Sequence, residues 1–114
     1  MSEDRLQQEC FRWWNNTYPM YRGLLFHVPN GGSRNAREGA KFKTMGVVKG
    51  VSDFIFLWSG DTFFIELKVE GGRQSQDQIN WQALVKGERF DYFVVWNFVD
   101  FKDLITKIID RGIY

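Results

Sequence analysis

The sequence predicts an α/β domain in which helices pack on a mixed sheet, in the order α-β-α-β-β-α-β-α. Three observations predict it. Amphipathic stretches of helical period open and close the chain, and two strand-like runs flank Ser59-Gly60-Asp61. A near-continuous apolar run then follows a strong helix-start signal in the second half. The 114 residues suit one domain spanning residues 1–114.

The elements follow in order. Ser2 or Asp4 can cap a first helix that runs to about Asn16, with Leu6, Cys10, Trp13, Trp14 and Thr17 on one face. Glu9 lies at the margin of that stripe. Residues 23–28 read as a short strand, ended by Pro29-Asn30-Gly31-Gly32. Residues 33–45 fit a second helix, weakened by Gly39. Residues 53–58 and 62–69 are the two strands of a hairpin, and Gly71-Gly72 ends the second. Ser75 opens a third helix with Gln78 in the capping-box position, and Gly87 stops it. The apolar run 92–96 predicts a strand buried on both faces. Asp100 is the expected cap of a last helix, which aligns Phe101, Leu104, Ile105 and Ile108.

Composition narrows the class. Hydrophobic residues make up 44% of the chain and aromatics 18%, enough for a core and too apolar for a disordered chain. One cysteine, Cys10, excludes an intrachain disulfide framework and a cysteine-rich zinc site, and suits a reducing cytosol. No apolar run approaches the roughly 18 residues of a membrane span, and residues 1–12 are too polar for a signal peptide. The expectation is a soluble, cytoplasmic protein with no membrane partner.

The net charge of +1 hides an uneven distribution. Residues 29–50 carry Arg34, Arg37, Lys41, Lys43 and Lys49 against Glu38, whereas residues 51–70 carry Asp53, Asp61, Glu66 and Glu70 against Lys68. A solvated basic loop would explain the first stretch. So would phosphate contacts beside a carboxylate site that holds a metal.

Register decides whether that site exists, because strand residues alternate faces. A two-residue turn at Gly60-Asp61 would set Asp53 opposite Lys68, and a turn at Ser59-Gly60 would set it opposite Glu66. Either gathers Asp53, Glu66 and Lys68 on one face at the open end of the hairpin. A three-residue loop would separate them. The other face carries Phe54, Phe56, Trp58, Phe63, Ile65 and Leu67, and needs cover from helices. An ion pair with Lys68 would account for one carboxylate and leave the second unexplained. Two carboxylates on neighbouring strands, with the Leu67 backbone carbonyl and waters, suit a hard cation such as Mg²⁺ or Mn²⁺. Lys68 could then position or deprotonate a water for attack on phosphorus.

Asp53 followed by Glu66-Leu67-Lys68 resembles the PD-(D/E)XK nucleases. Lys43-Thr44-Met45-Gly46 and Lys49-Gly50-Val51-Ser52-Asp53-Phe54 sharpen this, because they resemble the K-x-x-G…G-x-P/S-D block of the VRR-NUC family. Phe64-Ile65-Glu66-Leu67-Lys68, Gly71-Gly72-Arg73-Gln74-Ser75 and Gln78-Ile79-Asn80-Trp81 resemble its IELK…GG..S..Q..W block. His27-Val28-Pro29-Asn30-Gly31 and a first helix bearing Glu9 are similar to the opening of small viral and phage members. Ser52 stands where many members have proline, at a place that supplies no ligand.

The resemblance implies a restriction-endonuclease-like fold and a metal-dependent DNA endonuclease. Asp53, Glu66 and the Leu67 carbonyl would bind Mg²⁺ or Mn²⁺, Lys68 would assist the water, and Gln78 would support the site. Glu9 would act as a further acid, through water. Each role has a plainer rival: Gln78 could serve only the capping box, and Glu9 could be a surface glutamate. His27 reads as a strand-end hydrogen-bonding residue, since no second histidine completes a zinc pair. Trp81 and Trp13-Trp14 read as core or interface. Arg34, Arg37, Lys41, Lys43 and Lys49 are the expected DNA contacts. The resemblance further implies a homodimer that resolves four-way (Holliday) junctions in recombination and repair, in a bacterial or phage-infected cell. The alternatives are a less selective flap or nick nuclease, and a non-catalytic nucleic-acid-binding module.

Overall fold

A computed structural model describes residues 1–29 and 36–111. It forms a four-stranded mixed sheet flanked by helices. In chain order the elements are α1 (Glu3–Thr17), a 3₁₀ turn (Pro19–Tyr21), β1 (Leu25–His27), α2 (Ala36–Thr44), β2 (Phe54–Trp58) and β3 (Asp61–Leu67). They are followed by α3 (Gln76–Gly87), β4 (Asp91–Val95) and α4 (Phe98–Asp110). The expected order holds, with the 3₁₀ turn added where Pro19 pre-sets a tight backbone. Among the described residues no helix is long and apolar enough to cross a membrane.

The strands lie in the order β1-β2-β3-β4, with the first two pairings antiparallel and the last parallel. The hairpin turns at Ser59-Gly60, since Trp58 pairs with Asp61 and Phe54 with Ile65. Ser59 (φ 52°) and Gly60 (φ 85°) both take left-handed conformations, the backbone that a two-residue hairpin loop requires. Of the two even registers, this one continues the ladder to set Asp53 opposite Glu66.

One face of the sheet is the core. Leu25, Phe54, Phe56, Phe63 and Ile65 are fully buried there under α1 and α4, which supply Leu6, Cys10, Trp14, Phe101 and Ile105. Each buried phenylalanine contributes about 1.5–3 kcal/mol by leaving water. Trp14 meets Phe56 edge-on at 5.1 Å, and Phe54 tilts against Phe101 at 5.8 Å. The opposite face is covered by α3 through Trp81, whose ring stands on Phe64 at 5.1 Å. Toward β1 that face stays open, leaving Phe26 and Leu57 each 37% exposed.

Two expectations are corrected. The last helix is capped by Asn97, which has extended backbone angles and accepts from the Asp100 N–H at 2.8 Å. Asp100 sits inside the first turn and returns the bond from Asn97 Nδ2. Moving the start of the helix forward admits Phe98, which packs on the core. Likewise β4 is an edge strand, so Phe93 and Val94 are only half-buried, unlike Tyr92 and Val95.

Candidate active site

Asp53 is held from two directions at the mouth of the hairpin. Its backbone carbonyl accepts from the Val28 N–H at 3.1 Å and from His27 Nδ1 at 2.7 Å. A carbonyl cannot donate, so His27 carries its proton on Nδ1. The Asp53 carboxylate accepts the Leu67 N–H at 2.7 Å through Oδ2. This bond replaces a ladder bond just where β2 gives way to loop. The N–H and C=O of one strand residue point to the same edge. The Leu67 carbonyl therefore also faces the Asp53 side, while the next amide, Lys68 N–H, turns to β4 and donates to the Val95 carbonyl at 2.9 Å.

Glu66 is fully buried. Its Oε1 accepts from the Tyr92 hydroxyl and from Gln74 Nε2 at 3.2 Å. Its Oε2 is buried and has no hydrogen-bond partner among the described residues. A buried, unmatched carboxylate oxygen is costly in an apolar setting, and a hard cation is the partner it fits. Among the described residues no three His, Cys, Asp or Glu side chains group closely enough to hold an ion alone. An ion here would rest on two carboxylates, a carbonyl and water, which is the usual manner of Mg²⁺.

Lys68 is 6% exposed and lies on the Glu66 face of β3, with Nζ 3.7 Å from Glu3 Oε2. The Glu3 side chain is 41% exposed, so at that distance the pair is worth at most about 1 kcal/mol. Burial raises the Asp53 carboxyl above its ordinary range, against the Leu67 hydrogen bond, with Glu66 and Glu3 adding to the rise and His27 opposing it. The Tyr92 phenol is also pushed up, first by burial and then by its bond to Glu66. Both shifts mark a dry pocket already rich in negative charge.

This sheet order and these helices match solved structures. One described as a VRR_NUC domain protein superposes with a TM-score of 0.78, covering 96% of this chain and 89% of that one at 22% identity. The chain has the VRR_NUC fold. A second structure, described as a VRR_NUC domain, gives a TM-score of 0.58 over 97% of both chains at 18% identity. No family model and no curated protein matches the sequence. The VRR_NUC architecture is consistent with the restriction-endonuclease-like fold.

Within this VRR_NUC fold, the hairpin register carries Asp53 to the position beside Glu66, and Lys68 follows two residues on with its ammonium near Glu3. Gln78 shows its hydrogen bonds within its own helix start: its Oε1 accepts the Ser75 N–H at 2.8 Å and its own N–H returns to Ser75 Oγ, closing the capping box. The glutamine that reaches Glu66 is Gln74, before the helix. Likewise the acid that α1 brings to Lys68 is Glu3, and not Glu9. Glu9 stands almost two turns further on and lines a cleft with Leu6, Val69, Glu70, Trp96 and Phe98. Arg37, Lys41, Lys43 and Lys49 are all exposed, and Arg34 lies outside the described residues.

Tyr92, Gln74 and Glu3 were missed by the sequence reading, each for its own reason. Tyr92 reads as one aromatic in an apolar strand, and only the parallel pairing Phe64↔Tyr92 puts it on the Glu66 face. Gln74 sits in a Gly-rich loop, where no periodicity points its side chain. Glu3 has the signal of a first-turn helix acid, which gave it a sufficient local role.

Proposed function

We propose that this chain is a metal-dependent DNA endonuclease, using Mg²⁺ or Mn²⁺ to hydrolyse phosphodiester bonds in branched DNA as a homodimer that resolves four-way junctions. One observation carries the reading: Asp53 stands one residue beyond the Phe54↔Ile65 pair, where the register continues to Glu66, and Glu66 Oε2 is buried with no hydrogen-bond partner among the described residues.

Asp53 and Glu66 would hold the ion, with the Leu67 carbonyl on the side where the Asp53 carboxylate already sits. When bound, the ion acidifies water and offsets charge building on the phosphate. Lys68, nearly buried, would supply a cation to an attacking water and the phosphate oxygens. Glu3 restrains the Lys68 ammonium from the α1 side. Arg37 and Lys41, one turn apart on α2, with Lys43 and Lys49, offer exposed charge to the DNA backbone. Two such sites on a two-fold dimer suit paired incisions on a two-fold junction.

The test is a cleavage assay on matched four-way junction, flap and linear duplex DNA, with Mg²⁺ and with Mn²⁺. Symmetric paired nicks in the junction alone are expected. Equal cutting of all three substrates would overturn the junction assignment, and full activity in Asp53→Ala would overturn the mechanism.

A further inference from the structure

We propose that Tyr92 is a positioning residue for Glu66, acting with Gln74 and Gln82 to occupy one carboxylate oxygen and reserve the other for the ion. This rests on the metal-site reading above and adds the device that shapes the site.

The two oxygens of Glu66 have opposite environments. Oε1 takes two neutral donors, the Tyr92 hydroxyl and Gln74 Nε2, whereas Oε2 is buried with none. The donors are themselves fixed. Tyr92 is 7% exposed, and its ring lies 6.0 Å from Trp81, which in turn stands on Phe64. The phenol therefore cannot swing away without opening the aromatic cluster beneath α3. The Gln74 amide is oriented by Gln82, whose Oε1 accepts from the same Nε2 at 2.7 Å. An amide nitrogen has two hydrogens, so one serves Glu66 and the other Gln82, and the amide cannot flip without losing both.

Neutral donors on one oxygen restrict the carboxylate to a single orientation. Partners of this kind around a ligand set its geometry, and their loss typically weakens metal affinity 10–100-fold. A structural role alone would instead show as lost stability with affinity unchanged. Two variants separate these. Tyr92→Phe keeps the ring and deletes only the hydroxyl; Gln74→Met keeps the length and deletes the donor from a loop. Ile65→Val, on the core face of the same strand, is a control for destabilisation as such.

The measurement is titration calorimetry of Mn²⁺ into the full chain and these variants, with near-ultraviolet circular dichroism to confirm folding. The unaltered chain and Ile65→Val are expected to bind Mn²⁺ alike, and Tyr92→Phe and Gln74→Met about 10-fold more weakly. If Tyr92→Phe fails to fold, Gln74→Met decides alone. Affinities within about twofold of the unaltered chain in the folded variants, or equal weakening in Ile65→Val, would overturn the positioning role while leaving the metal site standing. No Mn²⁺ binding by the unaltered chain would overturn the metal-site reading and this inference with it.

Discussion

The Asp53 carboxylate accepts the Leu67 amide hydrogen at 2.7 Å, so one acidic side chain both closes the β2–β3 ladder and stands in the candidate metal site. That double duty separates stability from activity, and the separation can be measured.

Asp53→Asn keeps an oxygen for the Leu67 N–H and removes the buried charge. Because burial raises the folded-state pKa of Asp53 above its ordinary value of 3.8, the native chain binds more protons than the unfolded chain as pH rises from there. Stability therefore falls through that window. The variant is expected to unfold at a higher temperature than the unaltered chain at neutral pH, with the difference closing in acid. Mn²⁺ should raise the unfolding temperature of the unaltered chain and leave the variant unmoved. Cleavage should drop by about 100-fold or more, since losing a ligand costs at least what losing its supporting partners does. Scanning calorimetry over pH 3–7, with and without Mn²⁺, checks the ordering.

The two acids of α1 make different predictions. Glu3→Gln releases the Lys68 ammonium, which is otherwise 3.7 Å from a carboxylate, and should lower cleavage by up to about fivefold. Glu9→Gln alters the cleft lined by Val69, Glu70 and Trp96 and should cost less. A single-turnover assay of both variants decides, and the reverse ranking would return the catalytic role to Glu9.

Gly50 is a packing requirement as well as a turn. It adopts φ +88°, and a Cβ there would lie 2.2 Å from the Asp77 carbonyl oxygen. The loop entering Asp53 is thus pressed against the start of α3. Gly50→Ala must strain one or the other, and a loss of about 1–3 kcal/mol is expected. Urea unfolding would show a lower midpoint with an unchanged slope.

Cys10 is fully buried between α1 and the sheet, and burial, followed by the charge of Glu9, pushes its thiol up to about 12. The thiolate is the reactive form, so the native thiol should resist alkylation at pH 8. Its labelling rate should rise with urea in step with unfolding, which makes Cys10 a reporter of global opening. Rapid labelling of the folded chain would show that α1 detaches on its own.

What the sequence determined was periodicity and its consequences. The 3.6 spacing of Leu6, Cys10 and Trp14, the alternation of Phe54, Phe56 and Trp58, and the Ser75/Gln78 capping box are local patterns, and the structure keeps each of them. The Asp53–Glu66 juxtaposition was legible to the extent that only an even turn could form it. The choice between the two even registers fell to Ser59 and Gly60, whose left-handed angles form the two-residue loop. The tertiary structure alone decided what surrounds Glu66. A parallel crossover through α3 brings Tyr92 from 26 residues away to Glu66, and the Gly-rich loop swings Gln74 to the oxygen that Gln78, tied to its helix cap, does not reach. Such contacts follow from how strands pair across the sheet, and spacing along one chain segment carries no record of that. The candidate metal-site pair was therefore visible in the sequence, and the side chains that hold Glu66 in place were not.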